Sequence, residues 1–509
     1  MSIELTKTDI GTAEVLYDNF AEQGIDCDIS LPDYCPDIMR ILRCSVTNSI
    51  TNSKISGDRA TVDGNAKIRI VYADDKNGIY CYEQDYPFSK FSELPQTYDG
   101  AVLCSSAKTE YANCRAVSKK RIDIHGVVSI RFKIVGIKNE SVITDAEGDG
   151  IQLRKKKIGT DSVAAVVMKK FQLSQTEEAD GGEIGKIFYA CASPVLSETK
   201  IIKGKILLKG ETVLKVMYCS ATGENESVCV NYNLPFSEII DIESIDDSCK
   251  VSVGFNVDQV QAEPKTDNDG EYKYLNLGCD ICAVVTAYKT EDICVITDSY
   301  STQKEIDAKY KTETFTQILQ NLNDSIICRE SVDLSSMNPQ RIYAAIAQSP
   351  EAKSRFDADK MTVTGKIPLK FILIDGEGTP TFCEREAEFE YSRSIDAKGG
   401  NLHCDPKLFL TGYSCTLTSD GRAEFKAEMN ISADITETSE CRTLVSLKTM
   451  ENSELKKRHS SLVICFCNGG EKIWDIARKY NTTVEDIMSE NELTSDEIGE
   501  KMMLMIPVK

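Results

Sequence analysis

The sequence predicts a mainly β protein: three repeated antiparallel units of sandwich or barrel type, then a small α+β module of βααβ order. Three observations carry this. A Gly-led hairpin pattern occurs three times along the 509 residues. Between turn signals, apolar and polar residues alternate with the period of a strand. Beyond Ser460 the pattern passes from strand period to helical period and back.

The repeat is read by laying the chain against itself. Gly64-Asn65-Ala66-Lys67-Ile68-Arg69-Ile70-Val71-Tyr72 matches Gly210-Glu211-Thr212-Val213-Leu214-Lys215-Val216-Met217-Tyr218, and Gly365-Lys366-Ile367-Pro368-Leu369-Lys370-Phe371-Ile372-Leu373 is the third copy. The fifth residue after each Gly is basic, between two apolar ones. Ile41, Ile187 and Ile342 hold a common position upstream. Downstream, Pro87-Phe88-Ser89 and Pro235-Phe236-Ser237 recur, with a weaker echo at Glu390-Tyr391-Ser392.

Within the units, Arg121 to Phe132, Leu275 to Tyr288, Met361 to Ile374 and Arg422 to Ile435 have strand alternation and β-branched content. Polar turns such as 74–78, 220–225 and 375–378 separate them. A short helix is expected before each hairpin, since Pro36 opens Asp37-Ile38-Met39-Arg40-Ile41-Leu42 as at a helix start. Arg341 to Ile346 is its clearest counterpart. Each Gly is expected to serve a turn or close packing, and Arg69, Lys215 and Lys370 to face solvent. The resulting division is 1–160, 161–305 and 306–450 for the units, 451–460 for a charged linker and 461–509 for the module.

The C-terminal module follows element by element. Leu462 to Cys467 reads as a strand, and Asn468-Gly469-Gly470 as a turn. A helix over Glu471 to Tyr480 carries Ile473, Ile476, Ala477 and Tyr480 on one face. Thr482 with Glu485 fits a capping box opening a second helix, and Met503 to Pro507 closes the chain as a strand. Trp474, the only tryptophan, is expected in this module's core.

These residues resemble a LysM domain. The likeness rests on Trp474-Asp475-Ile476-Ala477, Tyr480, the run Thr482 to Ile487, Asn491 with Leu493, and Leu504-Met505-Ile506-Pro507. The opening Gly470-Glu471-Lys472-Ile473 departs from the family's Gly-Asp-Thr/Ser-Leu. The resemblance implies a groove between the first turn and the loop after the second helix, lined by Gly470, Glu471, Lys472, Ile473, Trp474, Asn491, Glu492 and Leu493. In the family that groove holds N-acetylglucosamine polymers.

Composition limits the rest. With 41% hydrophobic and 27% charged residues the chain is of ordinary globular type. A net charge of −21 argues against a nucleic-acid binder, which needs a basic face. No apolar run approaches the ~20 residues that span a bilayer, so no direct membrane insertion is expected. The start, Met1 to Lys7, lacks the features of a secretory signal, and a cytoplasmic location with reduced thiols is expected. The twenty cysteines are then expected to form no disulfide framework, and the one CxxC, Cys279 with Cys282, reads as small buried hydrophobes. These two fall on opposite strand faces, and Cys465 and Cys467 share one face without a second ligand pair.

The three histidines, His125, His403 and His459, are scattered, so a nucleophile would lack its usual base. The Gly-rich run Gly181 to Lys186 lacks the spacing and hydroxyl of a phosphate loop. No enzyme activity, metal or cofactor is expected.

Three such units with a LysM-like tail resemble the SipL-type spore coat morphogenetic proteins. Further carriers are Tyr34-Cys35-Pro36-Asp37-Ile38, Lys108 to Val117, Ile122-Asp123-Ile124-His125-Gly126 and Thr297-Asp298-Ser299-Tyr300-Ser301-Thr302. The resemblance implies a non-enzymatic assembly protein on the mother-cell side of the forespore surface, binding a coat-anchoring ATPase through its tail. The alternative is a peptidoglycan-binding protein that reads glycan through the same tail.

Overall fold

The computed structural model describes residues 3–179, 182–220, 227–357, 360–395, 401–454 and 461–507. Gly181, most of the stretch 220–225 read as a turn, and residues 455–460 with His459 lie outside the described residues, while 451–454 of the expected linker are the end of a strand. Strand makes up 78% of the structure and helix 4%, which settles the mainly β class. Among the described residues, no helix is long and apolar enough to cross a membrane.

Unit 1 contains β1 (Glu4–Ser30), β2 (Arg40–Ser56), β3 (Arg59–Ala73), β4 (Ile79–Glu93), β5 (Val102–Ala116) and β6 (Arg121–Glu147). They form two antiparallel sheets, β1-β6-β5 and β2-β3-β4. Alternation sends Ile68, Ile70 and Tyr72 of one sheet and Ile122, Ile124, Ile130 and Phe132 of the other into a shared core. The unit is a sandwich.

Unit 2 repeats it with β7 (Ile151–Glu178), β8 (Ile184–Ile202), β9 (Lys205–Ser220), β10 (Ser227–Asp241), β11 (Lys250–Lys265) and β12 (Tyr274–Ser301), in sheets β7-β12-β11 and β8-β9-β10. Unit 3 contains β13 (Lys304–Asp333), β14 (Pro339–Ala347), β15 (Glu351–Asp357), β16 (Lys360–Asp375), β17 (Pro380–Ser394), β18 (Asn401–Cys404), β19 (Lys407–Leu417) and β20 (Arg422–Glu454). Here two edge strands are split: β14 and β15 both pair with β16, and β18 and β19 both pair with β20.

The repeated glycines serve close packing. Gly64, Gly210 and Gly365 pair with Phe88, Phe236 and Phe389. A Cβ at these glycines would lie 2.3 Å from the Ser49 carbonyl, 2.1 Å from that of Val195 and 2.2 Å from that of Glu351. The facing ring covers each gap, 2.4–2.6 Å from the same point. The aromatic of the third unit is therefore Phe389; the echo read at Glu390-Tyr391-Ser392 is displaced by two residues.

The helices expected before the hairpins do not form: residues 36–39 are irregular, and Arg40 onward, like 341–346, is strand. Ile41, Ile187 and Ile342 pair with Tyr72, Tyr218 and Leu373, and a β-bulge follows each, leaving Leu42, Phe188 and Tyr343 opposite no partner. A bulge inserts one extra residue and breaks the two-residue period of the strand. Two adjacent apolar residues, packed on opposite faces, then imitate helical spacing. Ile41, Ile187 and Ile342 turn toward their own cores. Leu42, Phe188 and Tyr343 turn outward and meet in one cluster with Val71, Met217 and Ile372. The Phe188 and Tyr343 rings stack with centroids 6.2 Å apart.

The long strands β1, β6, β7, β12, β13 and β20 run past their sandwiches and meet again. Ile10, Val142, Ile293, Val295, Phe315 and Cys441 form one shared cluster, and Ile143, Ala146, Ile296, Leu444 and Leu447 another. Both contain residues of all three units. Units 1 and 3 also touch directly, through β6 and β20 and through the Arg40 guanidinium, which donates to the Pro380 carbonyl at 3.2 Å. Units 2 and 3 are keyed by Asp161, whose buried carboxylate accepts from Lys250 Nζ at 3.2 Å and from the Ile318 amide at 2.5 Å. The three units close on one another.

Closure explains another correction. Arg69 is 9% exposed and Lys215 3%, so neither faces solvent, and Lys370 is half-buried. In units 1 and 2 the hairpin face carrying them is turned against neighbouring chain. All twenty cysteines are free thiols. Cys279 and Cys282 are both buried, and burial pushes each thiol up to about 12.

Candidate partner-binding face of the C-terminal module

The module is built from β21 (Leu462–Cys467), α1 (Ile473–Tyr480), α2 (Val484–Glu490) and β22 (Met502–Pro507). The two strands pair antiparallel, Leu462 opposite Pro507, Ile464 opposite Met505 and Phe466 opposite Met503. Cys467, Ile473, Ala477, Ile487, Leu504 and Ile506 are wholly buried between sheet and helices. Helix α2 is capped by Thr483, whose Oγ1 accepts from the Asp486 amide at 3.0 Å. The capping box read at Thr482 is thus one residue early. Thr482 is buried, and its carbonyl is engaged by the second sandwich.

That engagement fixes the module. The Tyr300 hydroxyl at the end of β12 donates to the Thr482 carbonyl at 2.7 Å. The Trp474 indole N–H donates to Asp298 Oδ2 at 2.9 Å, and Arg478 donates to the same oxygen at 2.7 Å. The Tyr300 and Trp474 rings meet edge to face, centroids 4.9 Å apart. Trp474 is half-buried. It packs on the module's core but directs its polar edge at unit 2, which corrects the reading of a plain core residue.

Asp298 sits at a bulge that all three units share. The register skips Thr297 in β12, Thr144 in β6 and Val445 in β20. The residues after the skip are Asp298, Asp145 and Ser446. Asp145 pairs with Lys155 at 2.8 Å, and Ser446 has no carboxylate to offer. Of the three matching positions, only Asp298 takes the module.

The outer face of the two-stranded sheet is apolar throughout. Leu462, Ile464 and Phe466 project from β21 and Met503 and Met505 from β22, with Phe466 73% exposed and Ile464 57%. A solvated sheet face ordinarily alternates to polar residues. Here both faces are apolar. The signal is in the sequence: Leu462 to Cys467 contains no polar residue at all, so a strand here presents apolar side chains to both faces.

A family model described as SipL, SPOCS domain matches residues 37–117 and 183–265, and a LysM domain model matches 470–507. The chain carries SipL-type SPOCS domains and a C-terminal LysM domain. No curated protein and no solved structure matches. The SPOCS matches span β2 to β5 in unit 1 and β8 to β11 in unit 2, and unit 3 repeats their topology with split edges. These are non-catalytic binding and structural domains, and they mark a sporulation-related protein with a LysM module.

The expected LysM groove residues divide into three groups. Gly470, Glu471, Lys472 and Glu492 are exposed. Ile473 is in the LysM core, and Trp474 is turned onto Asp298 and Tyr300. Asn491 and Leu493 hold the loop after α2. The Asn491 amide donates to the Met505 carbonyl at 2.6 Å and accepts from the Met505 amide at 2.7 Å, pairing with β22 as a strand residue does. The Leu493 amide donates to the Met488 carbonyl. The turn before α1 is joined to the segment before β22 by backbone bonds, Gly470 N to Ile498 O at 2.7 Å, Ile473 N to Asp496 O at 2.9 Å and Ile498 N to Glu471 O at 3.0 Å. The structure does not bring the eight residues together as one open lining.

Proposed function

We propose that this chain is a non-enzymatic assembly protein of the bacterial spore coat whose LysM module captures a protein partner through the outer face of its two-stranded sheet. The observation that carries the reading is the exposed apolar set Leu462, Ile464, Phe466, Met503 and Met505. An apolar patch rimmed by polar surface is the usual mark of a protein contact. Covering Ile464 and Phe466 is worth up to about 1.5–3 kcal/mol each, a share of what association must supply against its entropy cost. The partner that fits the SipL resemblance is a coat-anchoring ATPase, met on the mother-cell side of the forespore. The three sandwiches hold the module in place and offer docking surface.

Glycan binding is the second reading, favoured by the LysM match itself and by the exposed Gly470, Glu471, Lys472 and Glu492. One experiment tests both. Full-length chain is titrated with the purified ATPase and, separately, with N-acetylglucosamine oligomers, using wild type, Phe466→Asp with Ile464→Asp, and Glu471→Ala with Glu492→Ala. Loss of ATPase binding in the sheet-face variant alone supports the protein-partner reading. Oligomer binding lost only in the second variant, with no ATPase bound by wild type, replaces it with the glycan reading.

A further inference from the structure

In units 1 and 3 the same hairpin places a basic residue directly across from a glutamate on the next strand. In unit 1 Arg69 Nε lies 2.5 Å from Glu83 Oε1, and in unit 3 Lys370 Nζ lies 3.0 Å from Glu384 Oε1. In unit 2 the position of the glutamate is taken by Asn231, and Lys215 Nζ lies instead 3.8 Å from the sulfur of Cys229, diagonally across on β10. The lysine has lost its carboxylate and stands beside a thiol. Lys215 is 3% exposed, its Nζ is 3.6 Å from the centre of the Tyr413 ring of unit 3, and it forms no ion pair with a carboxylate among the described residues. Cys191 stands opposite Lys215 on the other neighbouring strand. Cys229 keeps an exposed surface, so a small reagent can reach its sulfur.

We propose that Cys229 and Lys215 form a peroxide-responsive modification site that closes a sulfur–nitrogen bond between β10 and β9. Cys229 gives up its S–H proton and its sulfur attacks one oxygen of hydrogen peroxide. The O–O bond breaks, the departing oxygen leaves as water, and Cys229 becomes a sulfenic acid. The Lys215 amine then attacks that sulfur with its lone pair; the S–O bond breaks, and hydroxide leaves with an amine proton as a second water. One peroxide is reduced and the protein loses two hydrogen atoms in all. Sulfenic acids are known to condense with nitrogen in this way.

The surroundings favour the second step. An attacking amine must be neutral, and burial lowers the pKa of Lys215. Burial also raises the thiols of Cys229 and Cys191, so neither rests as a thiolate that would hold the lysine as a cation, and the Cys229 proton leaves only as its sulfur attacks, on the departing oxygen of the peroxide. Closing the bond removes the last possibility of charge on Lys215 under the Tyr413 ring, at the junction of units 2 and 3.

The test treats the full chain with hydrogen peroxide, blocks remaining thiols, and maps proteolytic peptides by mass spectrometry. The expected product is one linked pair containing Lys215 and Cys229, two hydrogen atoms lighter than its separate peptides and parted again by dithiothreitol. The link survives Cys191→Ala and is absent from Lys215→Arg, where a guanidinium stands as Arg69 does in unit 1, and from Cys229→Ser, which keeps the size of the side chain and removes its sulfur. Cys229 found only as sulfinic acid, only as a disulfide with Cys191, or unoxidised overturns the proposal.

Discussion

The indole N–H of Trp474 donates to the carboxylate of Asp298 across the boundary between the LysM module and the second sandwich, at 2.9 Å. The same oxygen also receives Arg478, so one acid of unit 2 holds two groups of α1.

This arrangement predicts that Trp474→Ala releases the module without unfolding it, because Ile473, Ala477, Ile487, Leu504 and Ile506 fill the core on their own. Asp298→Ala acts in the same direction and weakens docking by roughly 1.5–3 kcal/mol, the worth of a hydrogen bond to a charged group. Limited proteolysis between Glu454 and Ser461 reads both: faster cleavage, yielding a module that keeps its own folded amide spectrum. A Trp474→Ala module without a folded spectrum would return the side chain to the core.

Gly210→Ala sets a Cβ against the Val195 carbonyl, a backbone atom that cannot swing aside. The expected cost is about 1–3 kcal/mol, as for other overpacked sites. Thermal unfolding of the full chain checks it. Gly204→Ala serves as a contrast: nothing lies within 4 Å of the added Cβ, and its penalty is that of a positive φ alone.

Lys215→Met raises thermal stability below the Lys215 titration, since it removes a buried amine whose charged form lacks a carboxylate. The folded-state pKa of Lys215 lies below the unfolded value of ~10.4. Between the two the unfolded chain binds more protons, so the wild type gains stability as pH rises. The advantage of the Met variant is therefore full below that window and shrinks toward pH ~10. Paired melting curves across the range test the sign.

His125 lies on the surface between Asp26 and Asp123, its Nδ1 2.7 Å from one carboxylate and its Nε2 3.1 Å from the other. The hydrogen bond to Asp26, then that to Asp123, raises its pKa. Its contribution to stability is present below the ordinary histidine value of ~6.5 and is lost as pH rises through the higher folded value. Asp26→Asn lowers the titration midpoint followed by NMR at the imidazole carbons, and an unchanged midpoint would exclude Asp26 as the main cause.

The sandwiches were legible because alternation is local: Gly64 and its copies, with Phe88 and Phe236, announce one hairpin wherever they occur. The reading went astray where one residue serves a neighbour far away in the chain. Leu42 and Tyr343 looked helical because a bulge hides in the count, and Lys215 looked solvated because the unit that covers it is not written beside it. Thr297 to Thr302 stood out as a motif, yet its use appears only when Asp298 and Tyr300 are seen under Trp474. The apolar sheet face was written plainly in Leu462 to Cys467; what was missing was the question of its second side.

Leu42, Phe188 and Tyr343 come one from each unit and finish a single knot of side chains. An open array such as a solenoid can gain or drop a copy at its end, since each copy meets only its neighbours. This chain has no such end. A fourth copy would find no vacant corner, and deleting one would strip water-shy surface from the two that remain. Its copy number is locked by the clusters that each unit completes with the other two.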